Sequence, residues 1–226
     1  DDPRSPFVGP ALSLLETRTY NYGREGHISP TLRGPSYPLA LAATFLLFGK
    51  YIGSFVFLNF VFFASSIVLL WLISKRLIVG KWAIFPPLML ALFWEPASMV
   101  WLPSYEAFSL FLVTGAFYGF FRSREHTAWL VFSGALFGIL ILERPVLFYF
   151  LPIPLIFLWN IRRAAIFLLI ALSFVGAWSF RNHLVLNTWQ WGTGGPVLLR
   201  RSTQVDFSRD HVIAMILSFS FGDYLG

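Results

Sequence analysis

An all-α polytopic membrane helix bundle is the fold class this sequence predicts, on three observations. Of 226 residues, 57% are hydrophobic and only 12% charged, half the share of a soluble domain, which is about 25%. The apolar residues gather into runs approaching the roughly 20 residues that cross a ~30 Å hydrocarbon core, separated by short loops that carry Lys and Arg. Nine Trp and eight Tyr accompany 26 Phe, which suits helices facing lipid with aromatic rings near the interfaces. With no cysteine, disulfides and thiolate chemistry are excluded. The formal charge of +6 is spread over short loops without a long basic run, which argues against a nucleic-acid partner.

Residues 1–51 form a polar, Gly- and Pro-rich loop, in which Ala11–Tyr20 holds a short helix and Ser36–Gly49 a second, apolar one. Residues 52–226 form the bundle, with spans expected over Ile52–Ser74, Trp82–Leu102, Tyr105–Phe121, Thr127–Leu142, Val146–Trp159 and Ala164–Ser179. A further span opens at Val212–Phe221, after a loop over about residues 180–211. The chain begins at Asp1 without Met or a targeting core and stops beside an apolar run. The expectation is a fragment of a larger membrane protein, lacking a first transmembrane helix and inactive alone.

Loop charge sets the orientation. Lys75, Arg76 and Lys81, then Arg122 and Arg124, then Arg162 and Arg163 crowd into short loops, which places those loops on the cytoplasmic side. Counting crossings from there puts residues 1–51, Glu143-Arg144 and everything after Ser179 outside. The segment Ser36–Gly49 then cannot cross; its 14 residues reach only about 21 Å as a helix. The outer side holds ten Lys or Arg against seven inside. Outer arginines that topology disfavours are candidates for a ligand.

Arg144 leads these candidates. It stands in Glu143-Arg144-Pro145 between two apolar runs, and a guanidinium stays charged at a bilayer edge, where that charge needs a partner. An anionic lipid phosphate, gripped bidentately, is a suitable one. Mutual neutralisation of Glu143 and Arg144 is the competing reading, but adjacent helical residues point about 100° apart. Glu106 lies in the first turn of its helix, either as a favourable charge at the helix N-terminus or as the partner of an outer arginine. Arg181 follows the end of Ala164–Ser179, where a cation complements the helix dipole or meets substrate. Arg33 and Tyr37 are boundary anchors or substrate contacts. Arg200-Arg201 is a phosphate clamp or a headgroup contact. Glu95 reads as a hairpin-tip residue. Asp206, Asp210 and His211 lack specific metal spacing, and no nucleotide-binding fingerprint occurs.

Six stretches in order carry a resemblance. They are Ala11–Tyr20 (ALSLLETRTY), Ser29–Ala42 (SPTLRGPSYPLALA) with Phe48-Gly49, and Tyr105-Glu106 at a helix start. Gly134 to Gly138 before Glu143-Arg144-Pro145, Trp178–His183 (WSFRNH) and the turn Gly192–Gly195 complete the set. Together they resemble the GT-C glycosyltransferases, in the branch of dolichyl-phosphate-mannose protein mannosyltransferases and aminoarabinose transferases. That resemblance implies an integral membrane enzyme of a bacterial inner membrane with its site on the periplasmic face. It would move a sugar from a polyprenyl-phosphate donor to a protein, glycolipid or polysaccharide acceptor. It implies a catalytic acid-base carboxylate in the first outer loop, which falls on Asp2 or Asp1. Pro3 and Pro6 replace the usual helical start, so the choice between the two stays open. The resemblance further implies donor contacts by Arg144, Arg181, Arg33, Tyr37, Glu106 and Glu143, a partnership with membrane lipids, and room for a divalent metal. A lipid-substrate transporter or flippase and a non-catalytic assembly subunit are the alternatives.

Overall fold

The computed structural model describes residues 7–20, 34–102, 104–158, 160–187 and 189, and every regular element among them is helical. Helix α1 (Val8–Glu16) packs on α2 (Ser36–Phe48) through Val8, Ala11, Leu41, Ala42 and Phe45. Gly49, at φ +93°, turns the chain into α3 (Ile52–Leu77), a conformation that a Cβ would strain. The Tyr37 hydroxyl donates to Asn59 Oδ1 at 3.0 Å, and the Phe48 ring sits 5.2 Å from that of Phe57. Both ends of α2 therefore touch the N-terminal third of α3, and α2 lies across one end of the bundle.

Helix α3 has 26 residues, about 39 Å of helix, and closes with Lys75 and Arg76 in its last turn, where cations suit the helix dipole. The return segment differs from the single span expected over Trp82–Leu102. It is a 3-10 turn at Gly80–Ile84, α4 (Phe85–Leu92), α5 (Trp94–Ser98) and a 3-10 turn at Met99–Trp101, bent by 50° at the break. Pro96 explains the break. In a continuous helix its ring would meet the Leu92 carbonyl and its missing N–H would leave that carbonyl unpaired. Restarting at Trp94 moves Pro96 into a first turn, where no N–H is required.

Helix α6 (Glu106–Arg122) and α7 (Thr127–Glu143) form an antiparallel pair, with Ser133 Oγ donating across it to the Ala116 carbonyl at 2.7 Å. The expected span Val146–Trp159 is a 3-10 segment at Pro145–Phe150 followed by α8 (Pro152–Phe157); three prolines confine helix starts to first turns. Helix α9 (Ile161–Leu186) is longer at both ends than the expected Ala164–Ser179. Asn160 caps it, accepting from the Arg162 N–H at 2.9 Å, and Asn187 ends it at φ +54°.

Packing fixes the directions. Phe62 stacks on Phe111 at 5.3 Å and Arg76 pairs with Glu125, so α3 runs parallel to α6. Gly134 lies against Phe167 and Gly138 against Ala171, so α9 runs parallel to α7. The described chain thus passes six times between an end that carries Arg144 and a basic end that carries Lys75, Arg76, Arg122, Arg124 and Arg163. Leu130, Leu140 and Ile141 of α7 form the core with Leu112 of α6 and Phe167 and Ala171 of α9. Two helices, Ile52–Leu77 and Ile161–Val185, are long and apolar enough to cross a membrane, and the bent pair over 80–101 makes a third if it is one span.

Asn59 joins three segments at the Arg144 end. Fully buried, it accepts from Tyr37 and donates to the Leu102 carbonyl at 2.8 Å. Asn59→Leu leaves both partners unmatched, and the expected loss is about 2 kcal/mol, read as a lower unfolding temperature in detergent. Adding Tyr37→Phe removes one orphan, so the double variant should lose less than the sum of the two single ones. Additive losses would break the assignment.

Candidate functional site

The site grows from two helix ends. Glu106 opens α6, and its charge there is favourable at the helix N-terminus. Arg144 closes α7: its N–H bonds the Leu140 carbonyl at 2.8 Å, and Pro145 prevents another turn. With the helix stopped at that point, the neighbouring side chains part company.

Arg144 turns toward α6. Its Nη2 pairs with the Glu106 carboxylate, its Nε donates to Ser109 Oγ at 3.3 Å, and its guanidinium carbon lies 4.8 Å from the Tyr105 ring centroid. The side chains of Arg144 and Glu106 are 32% and 42% exposed, so the pair meets solvent and has room to accept a ligand. Both line an open pocket of about 400 Å³ with Glu95, Pro96, Met99, Ala107 and Leu110. Its ionic groups are one guanidinium against two carboxylates.

Glu95 is the residue that sequence reasoning passed over as a hairpin tip. The break before α5 carries it into the pocket beside Arg144. The signal available was that Glu95 is the only acid within the apolar run 82–102.

Glu143 turns inward. Only 4% exposed, it accepts the Tyr37 N–H at 2.9 Å through Oε1. Tyr37 itself is fully buried, so it is not the boundary residue expected. Burial pushes its phenol above the ordinary range, and the nearby Glu143 charge adds to that. Gly34 packs directly on the backbone of α7, where a Cβ would lie 2.9 Å from the Glu143 N. Gly34, Tyr37 and Glu143 thus dock the first loop onto the helix that presents Arg144.

Arg181 sits inside α9, not beyond its end as expected. It donates to Asn182 Oδ1 at 3.0 Å and covers the rings of Trp178 (4.9 Å) and Tyr20 (5.9 Å). The Tyr20 hydroxyl donates to the Gly34 carbonyl at 3.3 Å, which ties Arg181 to the same docked loop.

Beyond the pocket, Leu110, Val113, Phe117 and Phe120 recur along one face of α6. Leu110 lines the Arg144 pocket, and the other three line two adjoining apolar clefts with Leu140, Leu147, Phe150, Ile153 and Phe157. Asp1, Asp2, Arg33, Gly192–Gly195, Arg200, Arg201, Asp206, Asp210, His211 and Val212–Phe221 lie outside the described residues. Among the described residues no three His, Cys, Asp or Glu side chains converge as metal ligands. Comparison of the chain with protein-family models, with curated proteins and with solved structures gives no match, which leaves its own geometry to support a function.

Proposed function

We propose that this chain belongs to a polytopic membrane glycosyltransferase of the GT-C type, acting on a polyprenyl-phosphate-linked sugar. One observation carries the reading: a solvent-open guanidinium, Arg144, lines a polar pocket at the start of α6, and separate apolar clefts lie further along the same helix. That sequence of surfaces fits a phosphate with a long hydrocarbon tail. In the reaction, the acceptor oxygen or nitrogen bonds the sugar's anomeric carbon as the bond from that carbon to the phosphate oxygen breaks. The acceptor proton passes to Asp2 or Asp1 acting as general base. The electron pair leaves on the lipid phosphate, whose growing charge Arg144 stabilises.

Two carboxylates beside one guanidinium are too negative for a phosphate alone, so a further cation completes the site. Arg33, next to Gly34 in sequence, is the residue for that role, and Arg181 is the second candidate. Glu95 and Glu106 accept hydrogen bonds from sugar hydroxyls. Glu143 and Tyr37 position the loop.

The bend at Phe93 favours a second reading, since discontinuous helices mark transporters of charged substrates. One assay separates the two. Membranes holding the intact protein are given a radiolabelled polyprenyl-phosphate sugar and acceptor. Sugar transfer that falls at least 100-fold in the Asp1→Asn, Asp2→Asn double variant supports catalysis. Undiminished transfer removes the assigned base, and lipid translocation without transfer selects the transporter.

A further inference from the structure

The opposite end of the bundle carries a second pocket, with different chemistry. It measures about 340 Å³ and is lined by the polar Ser123, Arg124, Asn160 and Arg163 and by the apolar Phe120, Phe121, Phe157 and Leu158. Arg163 reaches across from α9 to donate through Nη2 to the Ser123 carbonyl, yet its Nε is buried without an acceptor. Arg124 is exposed on the turn after α6 and pairs with no carboxylate among the described residues. The nearby acid is already engaged: Glu125 holds Arg76 at 2.7 Å and Arg122 at 2.8 Å. Among the described residues, Lys75, Arg76, Lys81, Arg122, Arg124, Arg162 and Arg163 thus face one carboxylate at this end, an excess of six positive charges.

The pocket adjoins a second, apolar one. Phe120 and Phe157 also line the adjoining apolar cleft with Phe117, Ile153 and Phe167. A free anion would use only the arginines; an amphiphile uses both the arginines and the apolar cleft. We propose that this pocket binds one anionic phospholipid, its phosphate between Arg124 and Arg163 and an acyl chain laid into the cleft beyond Phe120 and Phe157. The site lies at the end of α6 remote from Arg144 and stands whether or not the chain transfers sugar. Its occupant is a membrane component, and its effect is to hold the ends of α6, α8 and α9 together where arginines would otherwise repel.

The test uses the intact purified protein in detergent, titrated with phosphatidylglycerol and read by native mass spectrometry. One phosphatidylglycerol should be retained in preference to phosphatidylcholine. A cation near an anionic lipid contributes about 1 kcal/mol, or roughly five-fold in affinity. Arg124→Gln and Arg163→Gln should each weaken retention about five-fold, and together about 25-fold. Arg162→Gln and Lys81→Gln, at the same end but off the pocket, should change it less than two-fold. Arg163 also bonds α9 to Ser123, so Arg124→Gln on its exposed turn carries the test if the other variant misfolds. The proposal is overturned if all four substitutions act equally, if phosphatidylcholine binds as well, or if inorganic phosphate displaces the lipid.

Discussion

Gly138→Val is expected to separate α7 from α9 and to cost about 3 kcal/mol, with Gly138→Ala costing about 2 kcal/mol. A Cβ at position 138 would stand 2.6 Å from the Ala171 carbonyl oxygen and 3.1 Å from its Cα, and both atoms are backbone that cannot rotate away. One turn earlier, a Cβ at Gly134 would stand 3.1 Å from the Phe167 carbonyl oxygen, a looser approach. Between helices in lipid, where apolar burial favours neither state, close backbone approach through small residues supplies much of the association energy. The other face of α7 meets Gly115, Ala116 and Gly119 of α6, so α7 is gripped from two sides. Thermal unfolding in detergent, followed by tryptophan fluorescence, reads the effect. Gly176→Ala is the control: it lies on α9 with open space around it, and should be neutral or stabilising by up to about 1 kcal/mol. Equal losses from the two alanine variants would refute the interface.

Arg144→Gln should reduce sugar transfer by roughly 100- to 1,000-fold, the usual effect of removing a preorganised charge from a developing anion. The loss should fall on kcat more than on KM, because the leaving phosphate gains charge in the transition state. Arg144→Lys keeps the charge but loses the forked contacts to Glu106 and Ser109, and should recover only part of the rate. A merely structural Arg144–Glu106 pair would behave differently. Each Gln variant would then lower stability alike, and the Arg144→Gln, Glu106→Gln double variant would regain both stability and transfer. Under the proposed role the double variant regains stability and stays inactive.

The long apolar runs were legible because lipid imposes one rule on every span. Ile52–Ser74 differs from α3 by three residues at its C-terminus, since Lys75 and Arg76 read equally well as a loop or as a last turn. The same ambiguity hid the ends of α9, where Arg162, Arg163 and Arg181–His183 lie inside the helix. Composition shows a charge but not whether a neighbouring helix will receive it; Arg163 meets Ser123 and Arg181 meets two rings. Proline caused the larger differences. Pro96 breaks Trp82–Leu102, and Pro145, Pro152 and Pro154 divide Val146–Trp159, although hydropathy averaged over a window passes across all four. At the site, helix geometry already separates Glu143 from Arg144 in the sequence, and the end of α7 at Arg144 (φ −130°, ψ 85°) completes the separation. Their partners are not legible there, because Glu106, Tyr37 and Glu95 are brought near only by tertiary packing.

The bond from the Tyr37 N–H to Glu143 joins positions 106 residues apart. During synthesis, the segment around Tyr37 leaves the ribosome long before its mate exists. Residues rise from the exit tunnel at about 5–20 per second, so for on the order of ten seconds this stretch can pack only on α1 and the start of α3. Closure then arrives late, as one event that seals the N-terminal region onto an already threaded hairpin.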